Sequence, residues 1–151
     1  MEAKIIPITT WEPGIYNLVS ETEELLLLFG TAVRAGFPSP AADYSADPID
    51  LNKYIAENPT ATFLARVEGD SMIGAHIEPD DLVVVDRSVK ATDGKIVLAF
   101  VEGEFTIKRL VLKRDGAYLQ AENPNYKTIK IDRPDGGHIW GVVVGVVKKF
   151  K

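Results

Sequence analysis

Ser71 and Lys108 combine into a chemistry that neither has alone. Ser71 lies in the run Gly-Asp-Ser-Met at 69–72, a glycine turn between an apolar stretch at 63–67 and a turn-then-strand pattern that closes at Asp86. Lys108 lies in the run Gly-Glu-Phe-Thr-Ile-Lys-Arg-Leu at 103–110, whose alternation is that of a strand. A serine hydroxyl is a poor nucleophile until a base takes its proton, and an amine can be that base only when neutral. An ordinary lysine has a pKa of about 10.4, so it must fall by roughly 3 to 4 pH units to be mostly free amine at neutral pH. Desolvation inside an apolar sheet supplies a fall of that kind. Taken singly, Ser71 reads as a turn serine and Lys108 as a solvent-face lysine; together they read as nucleophile and general base.

The elements that must position this pair are strands. Across 104–112, a period of two puts Thr106, Lys108 and Leu110 on one face and Phe105, Ile107, Arg109 and Val111 on the other. Thr106 is thereby placed to hydrogen-bond the lysine amine and aim its lone pair. The oxyanion of an acyl transfer needs fixed donors, and the backbone N–H groups of Asp70 and Ser71 in the Gly69 turn are the candidates.

Strand-like runs at 62–68, 82–86, 95–101, 104–112, 117–121, 128–131 and 139–149 are separated by turn chemistry at Asp93–Gly94, Glu102–Gly103, Asp115–Gly116, Asn123–Pro124 and 134–137. Short strands at this spacing predict a mostly β fold, a compact and strongly bent antiparallel β domain over 46–151. A short helix is expected over 48–56, with Pro48 in its first turn. Residues 1–45 carry Pro7, Pro13, Pro38 and Pro40 and no sustained alternation, which predicts an extended N-terminal arm with short helices. Within it, 21–29 suits one or two helical turns, with Ser20 as N-cap and Glu23 completing a capping box.

Composition narrows the function. In 151 residues with a net charge of −5, no Lys/Arg cluster exceeds two, which argues against direct DNA binding. The absence of cysteine excludes thiol catalysis and cysteine-ligated zinc. His76 and His138 are the only histidines, and neither has a partner at metal-binding spacing. No metal or cofactor is expected. The apolar run Leu25, Leu26, Leu27, Leu28 and Phe29 is far too short to span a bilayer, and no secretory signal precedes it, so a cytoplasmic protein without membrane contact is expected.

The runs at 69–72, 77–86 and 103–110 resemble the LexA/UmuD family of self-cleaving serine–lysine proteins. The sequence Ala-Gly-Phe-Pro-Ser-Pro-Ala-Ala-Asp-Tyr at 35–44, followed by Ile-Asp-Leu-Asn at 49–52, brings the resemblance closest to the UmuD branch. It covers nearly the whole chain, from about residue 25 to 149. The resemblance implies a LexA C-terminal-like domain in which Ser71, with Lys108 as base, cuts the chain's own arm between Ala35 and Gly36. UmuD proteins often have Cys-Gly at that bond; Ala-Gly is the LexA pair. Small residues also suit a segment entering a narrow cleft as a strand, and a simple hinge would use the same two.

The resemblance further implies a homodimer acting in the SOS response to DNA damage. A RecA–single-stranded DNA filament would promote the cut, and the trimmed form would join a UmuC-type polymerase in error-prone translesion synthesis (polymerase V). The strand over 139–149 is the candidate to pair across a two-fold axis, or an ordinary core strand, or both. The 25–29 cluster either packs on the β domain or anchors the arm to the sliding clamp. A LexA-like transcriptional regulator and a non-cleaving scaffold are the alternatives on the same fold.

Overall fold

The computed structural model describes residues 4–7, 15–19, 26–29, 35–36, 46–134 and 137–150. Along them run β1 (Lys4–Pro7), β2 (Ile15–Val19), β3 (Leu26–Phe29), β4 (Ala46–Ile49), a five-residue helix α1 (Leu51–Ile55) and a 3-10 turn at Pro59–Ala61. Next come β5 (Thr62–Arg66), a 3-10 turn at Ile73–Ala75, β6 (Leu82–Asp86), β7 (Ile96–Val101) and β8 (Glu104–Lys113). The chain ends with β9 (Gly116–Gln120), β10 (Ile129–Ile131) and β11 (Ile139–Val147). From β5 onward, each strand lies within two or three residues of the bounds that its alternation and flanking turns predict.

Among the described residues, nine strands form one antiparallel sheet in the order β1-β2-β5-β6-β11-β7-β8-β9-β10, and β3 with β4 forms a separate pair. The turn between β7 and β8 shows how local chemistry sets register. Glu102 (φ 52°) and Gly103 (φ 82°) both take positive φ, the two-residue geometry whose twist matches a hairpin, and Val101 then pairs with Glu104. β7 is buried on both faces: Leu98 joins a core with Ala65, Val67, Met72, Ile77, Val83 and Val85, while Val97 and Ala99 join another with Leu110, Leu119 and Val142. The large antiparallel sheet therefore carries two cores, in keeping with a mostly β, LexA C-terminal-like domain.

β11 links the two halves. It pairs with β7 over Ile139–Val142 and with β6 over Val142–Val147, with a register shift in each ladder. It is a core strand over its first part; beyond Val142, its strand pairing among the described residues is with β6 alone, and Val144 and Val146 are exposed. Gly141 sits at the tightest point of this crossing, where an added Cβ would stand 2.6 Å from Val85 Cγ1. Gly141→Ala is expected to lower stability by about 1–3 kcal/mol through overpacking; urea unfolding measures it, and an unchanged midpoint would contradict the close approach.

The N-terminal third departs from expectation. Leu26–Phe29 is a strand paired with Ala46–Ile49, not part of a helix over 21–29; the proposed caps, Ser20 and Glu23, lie outside the described residues. The four-residue ladder satisfies backbone groups that an isolated helix of two turns would hold only marginally. Leu26, Leu27 and Leu28 are exposed, so these three do not pack into the β domain. The helix expected over 48–56 begins later: Pro48 is in β4, and Asp50 is the N-cap, its side chain accepting the Lys53 N–H. Pro48 fits there because β4 is a short outer strand, where a missing N–H is tolerated. The arm also joins the sheet, since β2 pairs with β1 and with β5. Both the β2–β5 and the β3–β4 pairings cross the division expected at residue 46.

Candidate active site

Ser71 is carried on a loop between β5 and β6, closed by the Val67 N–H to Asp81 carbonyl and Asp80 N–H to Val67 carbonyl bonds, each 2.9 Å. Gly69 turns the chain at φ 77°, a conformation that a side chain would strain. The residues after Ser71 anchor the loop: Met72 and Ile77 are almost wholly buried, and the Ala75 and Ile77 N–H groups both donate to the Met72 carbonyl. His76 closes the 3-10 turn in the left-handed region and is exposed. The far side of the loop is tied to the end of β11, where Lys148 Nζ donates to Asp81 at 2.6 Å and to Glu78 at 2.9 Å. A serine next to a buried methionine on a closed loop has little freedom to drift.

Lys108 comes from the middle of β8, where it pairs with Val97 of the buried β7 and precedes fully buried Leu110 on the same face. The residue is 6% exposed. Burial pushes its amine below the ordinary lysine value, since water is removed from the charged form. The structure brings the two expected groups together: Lys108 Nζ is 3.1 Å from Ser71 Oγ. It is also 2.7 Å from Thr106 Oγ1 and 3.0 Å from the Ile107 carbonyl. Thr106 thus contacts the amine as the alternation of β8 predicts.

Asp70 stands beside Ser71 in the turn, with its other atoms engaged: its carbonyl accepts Asn123 Nδ2 at 3.0 Å, and its carboxylate accepts the Tyr126 hydroxyl. Ala35 and Gly36 form an exposed bend, and a Cβ on Gly36 would meet nothing within 4 Å. Both residues of the expected scissile bond are therefore solvent-exposed in this structure. Asn123, Tyr126 and Glu122 around the serine turn were not singled out by sequence reasoning, which took Asn123–Pro124 only as a turn. The available signal was a polar Asn-Pro-Asn-Tyr run bounded by strands, more elaborate than a reversal needs.

Thr106→Val tests the aiming of the amine. It keeps the strand and removes an acceptor 2.7 Å from Nζ, and self-cleavage is expected to slow by about tenfold or more. Timed electrophoresis at several alkaline pH values measures it; equal rates throughout would mean that Thr106 does not aim the amine.

The site thus sets a loop serine against a buried lysine on a largely antiparallel β domain. The chain belongs to the Peptidase S24-like family, whose pattern matches residues 27–144, a family of self-cleaving serine peptidases that includes the LexA and UmuD proteins. It is 46% identical over 124 residues to protein SamA of Salmonella typhimurium, covering 82% of this chain and 86% of that one. Protein ImpA of Escherichia coli is 42% identical over 125 residues, covering 82% and 84%. LexA repressor 1 of Geobacter sulfurreducens is 41% identical over 141 residues, covering 89% of this chain and 67% of the repressor. Among the described residues, no helix is long and apolar enough to cross a membrane.

Proposed function

We propose that this protein cuts its own chain between Ala35 and Gly36 with Ser71 as nucleophile and Lys108 as general base, and that the trimmed form serves DNA-damage tolerance. The observation that carries the reading is the buried Lys108 amine 3.1 Å from Ser71 Oγ. A neutral amine has two N–H donors and one lone pair. The Ile107 carbonyl can only accept and Thr106 Oγ1 accepts as well, so both donors are used and the lone pair is left to the Ser71 hydroxyl. Ser71 Oγ then attacks the Ala35 carbonyl carbon while its proton passes to Nζ. The oxyanion is met by the Asp70 and Ser71 N–H groups. The C–N bond to Gly36 breaks as Nζ returns the proton to the leaving amine, and water, deprotonated by Lys108, hydrolyses the ester.

Ala35 and Gly36 sit on an exposed bend, and on this reading their docking against Ser71 is the step a RecA–single-stranded DNA filament would favour. On this reading the product is a homodimer and the accessory subunit of a UmuC-type translesion polymerase, with the outer part of β11 as the dimer contact. Exposed Leu26, Leu27 and Leu28 would let the uncut arm touch the sliding clamp. The repressor reading draws support from the similarity to LexA; retardation of operator DNA by this chain would favour it, and the net charge of −5 speaks against it. Mass spectrometry after alkaline incubation tests the proposal. A fragment beginning at Gly36 is expected, and a chain that stays whole, or is cut elsewhere, overturns it.

A further inference from the structure

Resting on the serine–lysine reading, we propose that the segment over 122–126 is a bracket that sets the position of Ser71, with Asn123 and Tyr126 as positioning residues acting through Asp70. The segment meets the serine turn at both ends. Ahead of Ser71, the Asp70 carbonyl accepts Asn123 Nδ2 at 3.0 Å and the Asp70 carboxylate accepts the Tyr126 hydroxyl. Behind it, the Gly74 N–H donates to the Glu122 carbonyl at 2.8 Å. That approach is so close that a Cβ on Gly74 would stand 2.6 Å from the same carbonyl oxygen.

The bracket is itself fixed. Asn123 is 6% exposed, and both ends of its amide are used, since Oδ1 accepts the Asn125 N–H at 3.0 Å while Nδ2 holds Asp70. The Glu122 carboxylate pairs with Arg109, the residue after Lys108, and Arg109 Nη1 donates to the Gly94 carbonyl at 2.6 Å. One five-residue segment therefore couples the loop that carries the nucleophile to the strand that carries the base. Neither Asn123 nor Tyr126 is among the groups bonded to the lysine amine, so their effect on the reaction passes through Asp70 and the placement of Ser71. Attack geometry is steep in distance, and a shift of about 1 Å can cost a hundredfold in rate.

Tyr126 is suited to the conditions in which the base works. Its hydrogen bond to the Asp70 carboxylate raises its pKa above the ordinary tyrosine value, which favours the protonated form that donates to Asp70. The residue is 44% exposed, so the hydroxyl can be removed with little effect on the core.

A double-mutant cycle on the full chain tests the bracket, using Tyr126→Phe, Asp70→Ala and both together. Two rates are followed by intact-mass measurement. One is self-cleavage at alkaline pH. The other is labelling of Ser71 by a small fluorophosphonate, in which an Oγ–P bond forms, fluoride leaves and Lys108 takes the proton; this step does not need the arm. Each single change is expected to slow both rates roughly five- to tenfold, with the midpoint of the pH profile unmoved. The double variant is expected to be no slower than the slower single, and Asp70→Asn, which retains an oxygen acceptor, faster than Asp70→Ala. The inference is overturned by wild-type rates in Tyr126→Phe, by single effects that multiply, by slowed cleavage with unchanged labelling, or by a moved midpoint. A wild-type chain that is neither cut nor labelled overturns the serine–lysine reading and the inference with it, a result distinct from all of these.

Discussion

Lys108→Met is expected to leave the chain whole under every condition that cuts the wild type, and to unfold at a higher temperature. The first effect follows from the loss of the base, which lowers the rate by roughly a thousandfold or more when nucleophile and base act as a unit. The second follows from burial. Lys108 is 6% exposed, and desolvation holds its folded-state pKa below the unfolded one. The charged form is therefore penalised only in the folded chain, and it is the unfolded chain that binds the extra proton between the two values. The penalty is fully present below the folded pKa and fades as pH rises toward the ordinary value of 10.5. Methionine has a similar length and carries no charge, so the gain in Tm should be largest near neutral pH and shrink toward pH 10. Ser71→Ala should abolish the cut equally without this pH-dependent gain, since it leaves the buried amine in place. Calorimetry and electrophoresis of the two variants side by side check both claims. Residual cutting in either would move the role to another residue, and a Lys108→Met chain that melts lower at all pH values would mean that the amine's hydrogen bonds outweigh its desolvation.

How far the sequence carries depends on the distance over which each feature is decided. β6 was legible to the residue because Val83, Val84 and Val85 form an unbroken apolar run between Asp81 and Asp86, which is how a strand buried on both faces reads. β8 was legible because its alternation is local, and that same alternation put Thr106 beside Lys108. The serine and lysine were found from residue type and setting. Their separation of 3.1 Å rests on the loop closure at Val67 and Asp81 and on ladders that no short window contains. The bracket was missed for the same reason, since Asn123 and Tyr126 reach Asp70 across 53 and 56 residues. At Leu26–Phe29, helix-forming leucines were overruled by a partner strand twenty residues away, the kind of tertiary override to which propensity is blind. The placement of Ala35 and Gly36 on an exposed bend was equally hidden, because small residues serve a hinge and a cleft-bound strand alike.

Raising the pH should speed self-cleavage without any partner, about tenfold per pH unit until Lys108 is mostly neutral, and then level off. The sign follows from the base: only the free amine can take the Ser71 proton, and the fraction of free amine grows tenfold per unit below its pKa. The plateau should begin below pH 10.5, because burial lowers the Lys108 value from there. No thiol contributes to the profile, since the chain has no cysteine. Thr106→Val should lower the plateau without raising its midpoint, because removing an acceptor from the amine stabilises the ammonium less. Rates are read by mass spectrometry from pH 7 to 10 under conditions where circular dichroism shows the fold intact, following the fragment that begins at Gly36. A slope near one that ends below pH 10.5 identifies a buried lysine as the titrating base, whereas a rate that does not change with pH removes Lys108 from that role.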